Sequence, residues 1–165
     1  MRKQILICCG TGCRANGSMY LVETFREEIG HKQAEVDVIP QIKTTGCNGF
    51  CENGPIVKIM PDNLVYYRVK PKDVSEILEK SVLGDQEIPR LMYKDNEGNR
   101  VRSQEENPFY AHQQKLTLRH IGKIDPENID DYLEQGGYEA LRKALQMTPD
   151  EVIAEVEESG LRGRG

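Results

Sequence analysis

Gln4-Ile5-Leu6-Ile7-Cys8 is a short apolar run that breaks into glycines, the pattern of a buried strand entering a turn. Beyond Asn16-Gly17-Ser18, Leu21, Val22, Phe25 and Ile29 recur at helical spacing, with Glu23, Arg26 and Glu27 on the other face. Ser18 or Asn16 is the expected N-cap, and Gly30 the expected end. Glu35-Val36-Asp37-Val38-Ile39 alternates as a second strand that Pro40 stops. Ile56–Met60 and Leu64–Val69 flank Pro61-Asp62-Asn63 and predict a hairpin. A helix follows, with Pro71 in its first turn and Val74, Ile77, Leu78 and Val82 inward. The order is strand, helix, strand, hairpin, helix: a small α/β domain over 1–85.

The rest of the chain is patterned differently. Residues 86–123 predict a linker or extended segment, with a short hairpin turning at Asp95-Asn96-Glu97-Gly98-Asn99 and laid over a neighbouring surface. Three helices are expected at 127–134, 137–146 and 149–158, within a part spanning 124–165. Pro126 and Pro149 suit first turns, Thr148 suits a cap, and Gly136-Gly137 separates the first two.

Charge reinforces this division. The net charge is −5, against a general nucleic-acid binder. Residues 1–89 are nearly balanced and 90–123 mildly basic, whereas 124–158 hold 11 acidic and two basic side chains. That acidity reads as a solvated helix face. Hydrophobic residues make up 38% of the chain, a polar composition consistent with a part that is extended or depends on a partner. No apolar run reaches the length of a membrane span, and Met1-Arg-Lys-Gln leads into a strand rather than a signal peptide, so a cytoplasmic setting is expected.

In such a setting cysteines serve as metal ligands or redox thiols more often than as disulfides. Four of the five fall in two tight pairs among glycines: Cys8-Cys9-Gly10-Thr11-Gly12-Cys13 and Gly46-Cys47-Asn48-Gly49-Phe50-Cys51. Thiolates so spaced can converge on a soft metal centre, and glycines let backbone N–H groups approach the sulfurs. Three readings compete. Zinc takes four thiolates, but its usual knuckle is Cys-x2-Cys. A thiol–disulfide oxidoreductase also needs Cys-x2-Cys at a helix start, and it would leave Cys47 and Cys51 without a role. A [2Fe–2S] cluster takes two pairs of thiolates, matching both the count and the division. Iron–sulfur is the favoured reading, with a zinc-stabilised interaction module as the alternative.

These motifs, with Glu52-Asn53-Gly54-Pro55 after the second pair, resemble the thioredoxin-like [2Fe–2S] ferredoxin family. In particular they resemble N-terminal extensions on NADH-oxidising flavoprotein subunits of multimeric iron-only hydrogenases, whose core is similar to the flavoprotein subunit of respiratory complex I. The resemblance implies Cys8, Cys13, Cys47 and Cys51 as cluster ligands. Cys9 stands where that family commonly has glycine, which leaves Cys8 and Cys9 both open as the first ligand. Backbone donors to the sulfurs are expected from Gly10, Thr11, Gly12, Asn48 and Gly49, with Phe50 shielding the cluster from water.

The second half carries the same resemblance. Pro108-Phe109-Tyr110, Gln114–Pro126 and Gly136–Leu145 resemble the beginning of the flavoprotein core. Ser159-Gly160-Leu161-Arg162-Gly163-Arg164-Gly165 looks like the first half of its glycine-rich FMN loop. The resemblance therefore implies an incomplete, mainly helical start of a flavoprotein domain, in which Gly160, Arg162, Gly163, Arg164 and Gly165 begin a cofactor site. FMN and NADH would bind only in the complete parent protein, and the partners implied are other iron–sulfur subunits of an NADH-linked hydrogenase or dehydrogenase. Electron transfer is the function implied, with no side chain of this chain needed for acid–base chemistry. His31, His112 and His120 lack cysteine or carboxylate neighbours at ligand spacing and are read as structural. Tyr66 and Tyr67 are read as packing residues.

Overall fold

In the computed structural model, which describes residues 3–32 and 41–163, an apolar strand β1 (Gln4–Cys8) runs into the glycines and a single-turn helix α1 (Thr11–Ala15). Helix α2 (Ser18–Lys32) then buries Leu21, Val22, Phe25 and Ile29, the predicted face. Two details differ from the expectation. Ser18 is the first helical residue and is buried, and the helix passes through Gly30 to Lys32 because a mid-turn glycine weakens a helix without breaking it. The strand expected at 35–39 lies outside the described residues. The strand that pairs in parallel with β1 is β2 (Gln41–Thr45), beyond Pro40.

The hairpin forms as β3 (Val57–Met60) and β4 (Leu64–Tyr66). The sheet order is β2-β1-β3-β4, with β1 parallel to β2 and antiparallel to β3. A helical run over 71–83 follows: a 3-10 turn at Pro71–Asp73, one α turn at Val74–Glu76 (α3), then π-type hydrogen bonding at Ile77–Leu83. The order strand, helix, strand, hairpin, helix is present, with its second strand at Gln41–Thr45, beyond the proline expected to stop it.

Strand alternation assigns the two faces. Ile5, Ile7, Val57, Ile59, Leu64 and Tyr66 join α2 and the 71–83 run in the larger core. Cys8, Val65 and Tyr67 belong to a second cluster on the opposite face, with Cys13, Phe50, Ile56 and Tyr110.

The segment expected as a linker covers that second face, and residues 1–127 form one compact unit. The reason lies in edge strand β4, whose backbone would otherwise be left open. Its Val65 N–H donates to Arg102 O (2.9 Å), and the following Tyr67 N–H donates to Leu91 O (2.8 Å). Between those contacts lies the expected small hairpin, β5 (Tyr93–Lys94) and β6 (Arg100–Val101). Its turn is held by Asp95 Oδ1, which accepts from the N–H groups of Glu97 and Asn99. A short helix α4 (Pro108–Ala111) is capped by the buried Asn107.

A second unit spans residues 128–165. It contains the three expected helices, α5 (Ile129–Glu134), α6 (Glu139–Ala144) and α7 (Pro149–Glu158). Thr148 caps α7 in a reciprocal capping box with Glu151. Pro126 does not open α5: Asn128 caps it, accepting from Asp130 N–H at 3.0 Å. Ile129, Leu133, Leu141, Leu145, Ile153 and Val156 all stay exposed.

Candidate metal centre

The parallel register opposes Cys8 to Thr45 and so carries the second cysteine loop to the end of β1. Two backbone bonds fix this end, Cys8 N–H to Ile56 O (3.0 Å) and Cys9 N–H to Thr45 O (2.9 Å). Cys8 closes β1, Cys13 lies in α1, Cys47 follows β2, and Cys51 opens a 3-10 turn at Cys51–Asn53. Cys8 and Cys13 are buried, Cys47 is half-buried and Cys51 is exposed. The four sulfurs therefore grade from interior to surface.

They meet as two pairs. Cys47 and Cys51 Sγ are 4.0 Å apart, Cys8 and Cys13 dominate each other's electrostatics, and the Cys8 thiol donates to Gly46 O at 3.6 Å. Among the described residues, no three His, Cys, Asp or Glu side chains converge as ligands to a single ion would. The glycines explain how the pairs come close. A Cβ on Gly10 would lie 2.6 Å from Cys47 Cβ, one on Gly12 would lie 2.9 Å from Cys51 Sγ, and one on Gly54 would lie 2.6 Å from Cys13 Sγ. Three positions without side chains thus form the walls of the cysteine site, two on the first loop and one after the second.

The thiols are electrostatically uneven. The Cys8 thiol is pulled down to about 5, chiefly by the hydrogen bond from Cys13 and against the opposing effect of burial. The backbone N–H groups of Asn48 and Gly10 and the Asn48 carboxamide add to the lowering. Cys13 is pushed up correspondingly, because its proton is held in the bond to Cys8. Cys51 is raised by its neighbour Cys47. The Cys8–Cys13 pair holds a proton that a soft cation would displace.

Of the expected backbone donors, Gly49 N–H reaches Cys47 Sγ at 3.3 Å, while those of Gly10 and Asn48 help to lower the Cys8 thiol. The Ile56 backbone, without a signature in the sequence, acts to lower Cys13 against its larger upward shift. With α1 a single turn, individual N–H groups rather than a helix dipole face the sulfurs. Cys9 points away, packing against the larger core with Ser18 Oγ 3.9 Å from its sulfur. Strand alternation separates the two neighbours, so Cys8 is the one placed beside Cys13.

Phe50 is buried, and the aromatic group around it exceeds what the sequence suggested. Its ring stacks on Phe109 (centroids 4.4 Å apart, planes at 11°) and meets Tyr67, Tyr93 and Tyr110 edge-on. Burial pushes Tyr67 up to about 12 and also raises Tyr110, to which charge on Cys8, Cys47 and Cys13 adds. Only Phe50 lies within the cysteine motif; Tyr93, Phe109 and Tyr110 come from the supposed linker, where the Pro108-Phe109-Tyr110 resemblance did not mark them as its cover. Tyr66 points into the other core and donates or accepts with Ser81 Oγ at 2.6 Å.

Gly160, Arg162 and Gly163 follow α7 as exposed residues of the second unit, and Arg164 and Gly165 lie outside the described residues. His31 sits in the last turn of α2, His112 ends α4, and His120 accepts from Arg119 Nε at 3.0 Å. No helix among the described residues is long and apolar enough to cross a membrane.

Comparison with known proteins agrees with this geometry. Residues 1–82 match the family of thioredoxin-like [2Fe–2S] ferredoxins. A 2Fe-2S ferredoxin of Clostridium pasteurianum is 34% identical over 100 residues, covering 54% of this chain and 94% of that protein. The crystal structure of the wild-type thioredoxin-like [2Fe–2S] ferredoxin of Aquifex aeolicus superposes with a TM-score of 0.52 at 30% identity, covering 57% of this chain and 98% of that one. NADP-reducing hydrogenase subunit HndC of Solidesulfovibrio fructosivorans is 57% identical over 53 residues, covering 32% of this chain and 11% of that protein. An NADH-quinone oxidoreductase subunit of Aquifex aeolicus is 50% identical over 50 residues, covering 30% of this chain and 12% of that protein. The chain thus spans most of the small ferredoxins but only about a tenth of the longer subunits. Paired thiols in a glycine-walled site, on this sheet and with these relatives, make the chain a member of the thioredoxin-like [2Fe–2S] ferredoxin family, an electron-transfer domain built for a [2Fe–2S] cluster.

Proposed function

We propose that Cys8, Cys13, Cys47 and Cys51 are the cluster ligands, with Cys8 and Cys13 on one iron and Cys47 and Cys51 on the other. The observation that carries this reading is the meeting of the sulfurs as two pairs across walls formed by Gly10, Gly12 and Gly54. A closed four-thiolate zinc site needs one tetrahedral centre, whereas two pairs suit two metals. When bound, the cluster takes up and releases one electron at a time. The protein's part is to hold the sulfurs, aim N–H groups at them, and exclude water on the Phe50 side.

The wider role is inferred from the hydrogenase and NADH-quinone oxidoreductase relatives. In it the domain relays electrons within an NADH-oxidising flavoprotein subunit, toward a hydrogenase or a quinone-linked acceptor, alongside other iron–sulfur subunits. Residues 128–165 then belong to the flavoprotein core, with Gly160, Arg162, Gly163, Arg164 and Gly165 opening its FMN loop. The exposed apolar side chains of α5 to α7 suit helices that pack against more of such a core.

Anaerobic reconstitution with iron and sulfide tests the site. Two irons and two sulfides per chain, with an S = 1/2 signal on dithionite reduction that is lost in Cys13→Ala and Cys47→Ala, are expected. A colourless protein that retains one zinc would replace electron transfer by a structural role.

A further inference from the structure

Lys58 is an unusual residue for its place in the sheet. It stands in β3, an interior strand, paired with Leu6 on one side and Val65 on the other. Its neighbours Val57 and Ile59 belong to the larger core, so alternation turns Lys58 to the opposite face, the one the later segment covers. There it is half-buried. On the inner side it borders a space of about 10 Å³, room for at most a single water molecule, with no carboxylate around it. On the outer side it lines a pocket of about 230 Å³ together with Lys115, Arg119 and Lys123 of the covering segment. Against these four cations the pocket has one carboxylate, Glu105, which already accepts from Asn63 Nδ2 at 2.7 Å. Among the described residues none of the four cations forms an ion pair. Two are steadied by other contacts: Lys115 Nζ lies 5.1 Å from the centre of the Tyr110 ring, and Arg119 Nε donates to His120 Nε2 at 3.0 Å. Burial pulls the Lys58 ammonium below the ordinary lysine range; Glu105 opposes this, and Lys123 and Lys115 add to it.

We propose that this pocket binds a phosphate-class oxyanion, either inorganic phosphate or a phosphoryl group at the end of a larger molecule, through Lys58, Lys115, Arg119 and Lys123. A half-buried ammonium among like charges is costly until an anion neutralises it. A dianion with several acceptor oxygens answers more than one cation at once, and the terminal nitrogens of Arg119 offer the fork that such oxygens take in pairs. Pockets that enclose a whole organic ligand begin at about 300 Å³, so this one suits the charged group and not the body of a nucleotide. One wall comes from β3 and the other from residues 115–123, so a bound anion fastens the covering segment to the sheet. The site is independent of which metal the cysteines hold.

The test is isothermal titration calorimetry of the full chain at low ionic strength, with inorganic phosphate in one arm and glycerol 3-phosphate in the other. Saturable binding at one site per chain is expected. Uptake of both compounds marks a phosphoryl terminus as the ligand, and uptake of inorganic phosphate alone marks the free ion. Lys58→Met keeps most of the side chain and removes the charge, and is expected to weaken binding about tenfold. Arg119 is exposed and outside the sheet, so Arg119→Gln leaves the fold intact and is expected to weaken binding about fivefold. Lys72→Gln, at an exposed cation outside the pocket, is expected to leave the affinity unchanged. Circular dichroism establishes that each variant is folded, and Arg119→Gln carries the test if Lys58→Met is not. Absence of saturable binding up to about 10 mM of either compound overturns the site. So does an affinity that Arg119→Gln leaves unchanged, or that Lys72→Gln lowers as much as Arg119→Gln does. Each of these results leaves the cluster assignment standing.

Discussion

At the scale of single residues, the cysteine site is decided as much by missing side chains as by sulfurs. Gly12 illustrates this, since a methyl group there would press on both Cβ and Sγ of Cys51, at 2.8 and 2.9 Å. Gly12→Ala is therefore expected to load less than half the wild-type iron while the fold persists, read by iron assay beside far-ultraviolet circular dichroism; full loading would show that the loop yields easily. The thiols supply a second expectation. Cys8 is an acid held below its usual range, so in metal-free protein it is protonated below about pH 5 and a thiolate above. A step in ultraviolet thiolate absorbance near pH 5, missing in Cys8→Ser, is expected, whereas a first step above pH 8 would contradict the shared-proton arrangement. Cys13 moves the opposite way, because the single proton of the pair stays with it as pH rises.

At the scale of elements, the informative feature is the return of residues 88–123 to the sheet. Asn107 sits at the centre of that return. It is fully buried, its Oδ1 caps α4 through Phe109 N–H (3.0 Å), and its Nδ2 donates to the Tyr67 hydroxyl (3.1 Å). Asn107→Ala removes both bonds and leaves a buried hydroxyl without its donor, a loss of about 2–3 kcal/mol measurable as a lower urea midpoint. A change below about 0.5 kcal/mol would mean that α4 is held by the stack of Phe109 on Phe50 alone. The hydrophobic pattern made β1, α2 and the hairpin legible, because each shows a single face at a single period, and proline, cap and glycine signals marked the three later helices. It could not reveal the return. Tyr93, Phe109 and Tyr110 lie in short, aperiodic stretches, and only the open edge of β4 and the bare second face of the sheet explain why they come back.

At the scale of the molecule, the two units differ in how they are built. Residues 1–127 bury two apolar clusters on opposite faces of one sheet and contain every residue of the cysteine site. A chain of residues 1–127 is accordingly expected to take up two irons per chain, as the longer chain should, whereas one ending at residue 87 is expected to lose cluster to a chelator faster. Equal rates of loss would show that the covering segment does not shield the site. Residues 128–165 leave most of their large apolar side chains exposed, as a short stretch of three small helices must.

The sequence by itself determined the local elements, the two cysteine pairs and their kinship, because periodicity, turn residues and ligand spacing are short-range properties that are written consecutively. The tertiary structure alone decided which sulfurs meet, since choosing Cys8 over Cys9 depends on which face of β1 looks toward α1. It also placed the aromatic cover over Phe50 and set Gly122 against Asn48, contacts between residues more than forty positions apart. Such contacts arise from covering a sheet face and closing a strand edge, demands that belong to the folded sheet and to no single stretch of chain.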